Sequence, residues 1–338
     1  MQASAPWWLP GGHAQTIWSA LYARRRRHAL KARPLLRDRW VTPDGDFIDV
    51  DRQMASRPDR PLLVLFHGLE GSSASHYAQA FADWALQHDV QWAMPHFRGC
   101  SGEINRAPRA YHSGDHEEVD WILQRFAQTH ASEGGSVLVV AGVSLGGNAL
   151  MRWAGEQGAS ALGRVSAVAS ICSPLDLAAS GNAIGRGFNR QVYTRMFLRT
   201  MKPKAMAKWA QFPGLFNRER LLAARDLYEF DNVFTAPLHG FRDTHDYWAR
   251  ASAKPLLGRI RVPALLVNAQ NDPFIPASSL PVKREVSTAV TLWQPRHGGH
   301  VGFASGHWPG HLRSLPDQVG GWLMQASGVA LHTEMDHG

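Results

Sequence analysis

The chain has 338 residues, 44% of them hydrophobic, and 36 Lys and Arg against 28 Asp and Glu, which leaves a net charge of +8. That length and apolar fraction allow one large globular domain with an insertion and exclude a low-complexity or fibrous chain. No apolar run approaches the roughly eighteen residues of a membrane-crossing helix, and two cysteines are too few for a disulfide framework; both point to a cytoplasmic protein.

An amino-terminal arm, residues 1–34, opens with "MQASAPWWLPGGHAQTIW", which lacks the basic-then-apolar order of a secretion signal. Charge is concentrated in "ARRRRHALKARPLLRDR" at 23–39. This run reads first as a solvated face and second, with Trp7, Trp8 and Trp18 upstream, as a weak peripheral contact with an anionic membrane. Aromatic residues are not interleaved in it, so no nucleic-acid partner is expected. Segments 35–42 and 46–53 flank "TPDGD" and predict a hairpin with Asp44 and Gly45 in the turn. A buried strand at 62–66 runs into "HGLEG"; a helix over about 75–88, a strand in "QWAMPHF", and a helix over 115–130 follow. A strand at 137–141, a helix over 148–155 and a strand at 164–171 continue the alternation, which resumes with strands in 262–272 and 287–293 and a helix after Pro309. The pattern predicts an α/β fold with a mostly parallel sheet, its core in two parts at 35–175 and 256–328. The helical stretch between, 176–255, reads as a cap inserted over the sheet's carboxyl edge, where ligands bind in such sheets. Within it Phe188, Val192 and Met196 recur at helical spacing among arginines, and Phe188, Met196, Phe197, Leu198 and Trp209 are expected to form an apolar roof.

The chemistry centres on "VVAGVSLGGNAL" at 139–150. A G-x-S-x-G pentapeptide alone is weak, but here a strand precedes Ser144 and a helix follows it, as a nucleophile elbow requires. Gly142, Gly146 and Gly147 make room for strand and helix to cross, and the helix aims the Leu145 amide at a developing oxyanion. The second oxyanion donor is expected from "HGLEG", where Gly68 permits a turn that points the Leu69 amide inward and His67 braces the loop. A serine nucleophile needs a base and an acid, and both are expected at later strand ends. Asp272, in "AQNDPFIP", and His300, in "RHGGHVGF", supply them in the chain order serine, acid, histidine; Asp176 and His297 are the competing acid and base. Arg98, in "FRGCSG", is expected to be a structural ion-pair partner, and Cys100 and Cys172 small buried residues. The seventeen histidines show no metal-ligand spacing, so neither metal nor another cofactor is expected.

Taken together, "GGHAQTI" at 11–17, "HGLEGSSASHY" at 67–77, "FRGCSGEINRAPRAYHSGD" at 97–115, "GVSLGGNAL" at 142–150, "DPFIP" at 272–276 and "GGHVGF" at 298–303 resemble the YheT-like branch of the α/β-hydrolase superfamily. The resemblance spans nearly the whole chain. It implies an α/β-hydrolase fold, Ser144, Asp272 and His300 as catalytic triad, and esterase or lipase-like activity on carboxylic esters. The expected function is a serine carboxylesterase acting on small-molecule esters of short to medium chain. An acyltransferase, or a lipase or phospholipase acting on membrane lipid, is the alternative with the same residues; a non-catalytic lipid- or anion-binding module is the alternative of another class.

Overall fold

The protein is described here from a computed structural model covering residues 5–26 and 35–331. The centre of the basic run, 27–34, lies outside the described residues. Eight strands form one sheet: β1 (Leu36–Val41), β2 (Phe47–Gln53), β3 (Leu62–Phe66), β4 (Gln91–Pro95), β5 (Leu138–Val143), β6 (Ala167–Ile171), β7 (Ala264–Val267) and β8 (Val290–Trp293). Their order is β1-β2-β4-β3-β5-β6-β7-β8. Only β2 runs against its neighbours, and every pairing from β4 to β8 is parallel. The hairpin turn falls where Asp44 and Gly45 stand: the Gly45 amide donates to Thr42 O at 2.9 Å, and Gly45 has φ +76°.

The central strands are apolar without alternation because both of their faces are covered. Leu62, Val64 and Phe66 of β3 face one way, with Val140 and Leu266, against helices α3 (His116–Ser132) and α4 (Leu145–Gln157). Leu63 and Leu65 face the other way, with Val139, Ala141 and Val267, against α2 (His76–Gln87) and the last helix, α9 (Ser314–Ala326). Each fully buried Leu, Val or Phe contributes roughly 1.5–3 kcal/mol, so these two layers hold the sheet rigid beneath the loops at its carboxyl end.

Three elements differ from the sequence reading. The arm contains a helix, α1 (Gly11–Arg26), which packs back onto the body. The elbow helix starts at Leu145, directly after Ser144, and not at 148. Between β6 and β7 lie α5 (Leu177–Ile184), a π-helical turn over Arg190–Thr194, α6 (Arg195–Gln211), α7 (Leu227–Val233) and α8 (Thr244–Ala251). Here the row Phe188, Val192, Met196 faces solvent, with exposures of 52, 36 and 48%. The inward row is Tyr193, Phe197 and Met201. Two apolar rows lie side by side on this helix, and the π turn accommodates one extra residue, so periodicity alone does not choose the buried one.

Candidate active site

β5 delivers Ser144 into a tight turn. Its φ is +52°, a left-handed conformation that a serine adopts only under constraint. The constraint is visible on both sides: the Ser144 amide donates to Ile171 O at 2.8 Å, and the amides of Gly147 and Asn148 donate to Ser144 O. Strand and helix cross so closely that a Cβ on Gly142 would meet Gly146 O at 2.6 Å, and one on Gly146 would meet His67 O at 2.5 Å. Any larger residue would push the elbow away from β3.

Three polar groups join across this turn. His300 Nε2 lies 3.1 Å from Ser144 Oγ, and His300 Nδ1 lies 2.8 Å from Asp272 Oδ2. The other carboxylate oxygen, Oδ1, accepts the Phe274 amide at 2.8 Å. The Asp272 side chain is buried, and the Phe274 ring sits 4.2 Å from the imidazole. With the carboxylate accepting from Nδ1–H, Nε2 is the free acceptor facing the serine hydroxyl. The competing residues lie elsewhere. Asp176 caps α5 by accepting the Ala179 amide at 3.0 Å, and His297 is exposed, beside a small separate cavity lined by Ala5 and Gln15.

The amides of Leu69 and Leu145 have no protein acceptor among the described residues, and both residues line a cavity of about 120 Å³ together with Ser144 and His300. The loop carrying Leu69 is held from below by His67, whose Nδ1–H donates to Gly68 O at 2.8 Å while Nε2 accepts the Phe97 amide at 3.0 Å. Burial lowers the His67 pKa to about 3, so the ring stays neutral in that tautomer. Apolar side chains form most of the cavity wall, Leu177, Ile184, Phe197, Met201, Leu227 and Phe274 among them. Of the residues expected to roof it, only Phe197 does so. Phe188 and Met196 point outward, while Leu198 and Trp209 pack with Phe216 and Phe230 in a separate cluster. A second cavity, of about 70 Å³, shares Leu69, Leu145, Met201, Asp231 and Tyr247 with the first. Arg98 is buried in an ion cluster with buried Asp46 and Glu118 and with exposed Asp44, and both cysteines are buried.

Sequence reasoning missed the residues that hold the histidine loop. Thr16 Oγ1 of α1 accepts the His300 amide at 2.8 Å and donates to Gly12 O at 2.7 Å. Gln15 Oε1 accepts the amides of Gly298 at 2.9 Å and, through its side chain, Asn271 at 3.0 Å. Gly12 approaches the acid loop so closely that a Cβ there would run into Asn271 O. From the opposite side, Cys172 Sγ accepts the Val301 amide at 3.3 Å and His76 donates to Val301 O at 2.9 Å. "GGHAQTI" is therefore a strut between the acid and histidine loops; its small and polar residues were the signal, but nothing local says what they touch.

Comparison with known proteins places this geometry in context. The profile described as "alpha/beta hydrolase fold" matches residues 61–306. YheT, a candidate esterase of Escherichia coli (strain K12), is 36% identical over 92% of this chain and 89% of its own length. Phospholipase ABHD3 of Mus musculus is 26% identical over 74% of this chain, which spans 60% of that longer protein. Among solved structures, the Pyrococcus furiosus esterase Pf2001 superposes with a TM-score of 0.53 at 13% identity, over 87% of this chain and 91% of its own, a likeness of fold. No described helix is long and apolar enough to cross a membrane.

Proposed function

The chain belongs to the α/β hydrolases, in their YheT-like branch, as an esterase or lipase-like enzyme, and from that premise we propose that it is a serine carboxylesterase using Ser144, His300 and Asp272. The observation that carries the reading is the unbroken run of hydrogen bonds from Ser144 Oγ through His300 to Asp272, at 3.1 and 2.8 Å, on a serine held at positive φ. Ser144 Oγ attacks the acyl carbonyl as His300 Nε2 takes its proton, and the carbonyl oxygen becomes an oxyanion facing the Leu69 and Leu145 amides. The imidazolium, stabilised by Asp272, then protonates the alkoxide as the ester C–O bond breaks. Water repeats the sequence on the acyl-enzyme and releases the acid, with Ser144 regaining its proton. The helices between β6 and β7 act as the cap of this site.

At about 30 Å³ per water-sized group the apolar cavity of about 120 Å³ holds about four, which fits a short to medium acyl chain; the smaller cavity beyond Leu69 and Leu145 would take the alcohol. Each methylene accommodated contributes up to ~0.8 kcal/mol, so kcat/KM should rise with acyl length and then fall once the cavity is full. Two measurements test the reading. In S144A, hydrolysis of p-nitrophenyl esters should drop by roughly a millionfold and fluorophosphonate labelling should vanish, with the melting curve unchanged. A kcat/KM series from acetyl to palmitoyl esters should peak at intermediate length; a monotonic rise to palmitoyl would instead favour a lipase with an open acyl groove.

A further inference from the structure

The outward side of the π turn and α6 plays no part in the chemistry above. It carries Phe188, Val192 and Met196, exposed at four-residue intervals. Next to them, Arg190, Arg195, Arg199, Lys202 and Arg225 line a surface concavity of about 500 Å³ with no acidic residue in its wall. Glu229, whose charge acts on Lys202, accepts the Arg225 backbone amide at 2.6 Å. Lys202 donates to the carbonyls of Leu222 and Ala224, and no ion pair ties Arg190, Arg195, Arg199 or Arg225 to an acid among the described residues.

We propose that this face, the Phe188–Val192–Met196 row with the surrounding arginines, docks on an anionic phospholipid surface. Charge complementarity selects the occupant. Arginines left without acids on a protein already at +8 suit a field of phosphates, and guanidinium groups meet phosphate oxygens bidentately. Apolar side chains standing between cations, on a helix lying flat on the body, are the arrangement that seats in a lipid headgroup layer. The same helix turns Phe197 and Met201 into the cavity that holds Ser144, so docking would place the cavity wall against the lipid. That consequence for substrate delivery rests on the ester-hydrolase reading, whereas the docking does not.

The experiment is co-sedimentation of the full chain with phosphatidylcholine vesicles, with and without phosphatidylglycerol, for wild type, R195Q/R199Q and V192D. Arginines 24 to 27 are kept throughout. Wild type should bind the anionic vesicles and not the zwitterionic ones, with affinity falling as salt rises. At about 1 kcal/mol per basic residue near such a surface, R195Q/R199Q should bind about thirtyfold more weakly. V192D should weaken binding as well. All three should hydrolyse a soluble p-nitrophenyl ester equally, which separates failure of docking from failure of the enzyme assignment. Undiminished vesicle binding by both variants, equal binding to zwitterionic vesicles, or saturable binding of inorganic phosphate without vesicle binding would each overturn the proposal.

Discussion

Replacing Asp272 with Asn changes one atom, and the surrounding hydrogen bonds determine what that atom does. Oδ1 accepts the Phe274 amide, a donor fixed by the backbone, so the asparagine must keep its oxygen there. Its NH2 then faces His300 Nδ1. To accept that donor, Nδ1 must give up its proton, and the imidazole hydrogen moves to Nε2. The ring now presents a donor to Ser144 Oγ where the reaction needs an acceptor. Because the side chain is fully buried, no water enters to reverse the arrangement. Loss of the correct tautomer costs about 10⁴ in kcat, or about 5 kcal/mol of transition-state stabilisation. The assay is steady-state hydrolysis of p-nitrophenyl butyrate with fluorophosphonate labelling in parallel: kcat and the labelling rate should fall together while KM moves little. In D176N the helix cap is preserved, since Asn caps as well as Asp, and turnover should match wild type. A D272N enzyme within tenfold of wild type, or a crippled D176N, would refute the assignment of the acid.

T16V removes the acceptor of the His300 amide; leaving that donor unpaired costs about 1–3 kcal/mol, and kcat should fall roughly ten- to a hundredfold with KM unchanged, whereas an equal effect on both parameters would point to general disorder of the site. Burial raises the Asp231 carboxyl, which accepts from Thr235 and Trp248, to about 6. The folded state therefore holds this proton more tightly than the unfolded chain, and the stability it contributes at low pH is lost as pH rises from about 4 to about 6, up to about 3 kcal/mol. D231N should flatten that decline in thermal unfolding measured across the same range; parallel curves for the two proteins would show that Asp231 does not titrate there.

The parts of this molecule that are legible in its sequence share a physical cause. Leu62 to Phe66 reads as a buried strand because both faces of a central parallel strand are apolar, and Ser144 reads as a nucleophile because its strand, glycines and helix are contiguous. Asp272 and His300 read as acid and base because each follows a strand end. Interactions that join distant segments through polar groups left no comparable trace. Thr16 and Gln15 have no periodicity, and the loop residues they hold, Asn271, Gly298 and His300, lie more than 250 residues away. The exposed row of Phe188, Val192 and Met196 was visible, but its direction was not: it sits beside the inward row of Tyr193 and Phe197, and only packing distinguishes them.

The strut formed by α1 also bears on the order in which the protein can assemble. The bonds from Gln15 and Thr16 to Gly298 and His300 span 283 and 284 residues. During synthesis at roughly 5–20 residues per second, α1 leaves the ribosome before the loop it holds and waits tens of seconds for it. The sheet can pair strand by strand in the meantime, since its neighbours from β3 to β8 require no contact with the arm. The triad thus joins only after every strand of the sheet has emerged, since His300 follows β8, and the helix that completes one face of the core, α9, comes after it.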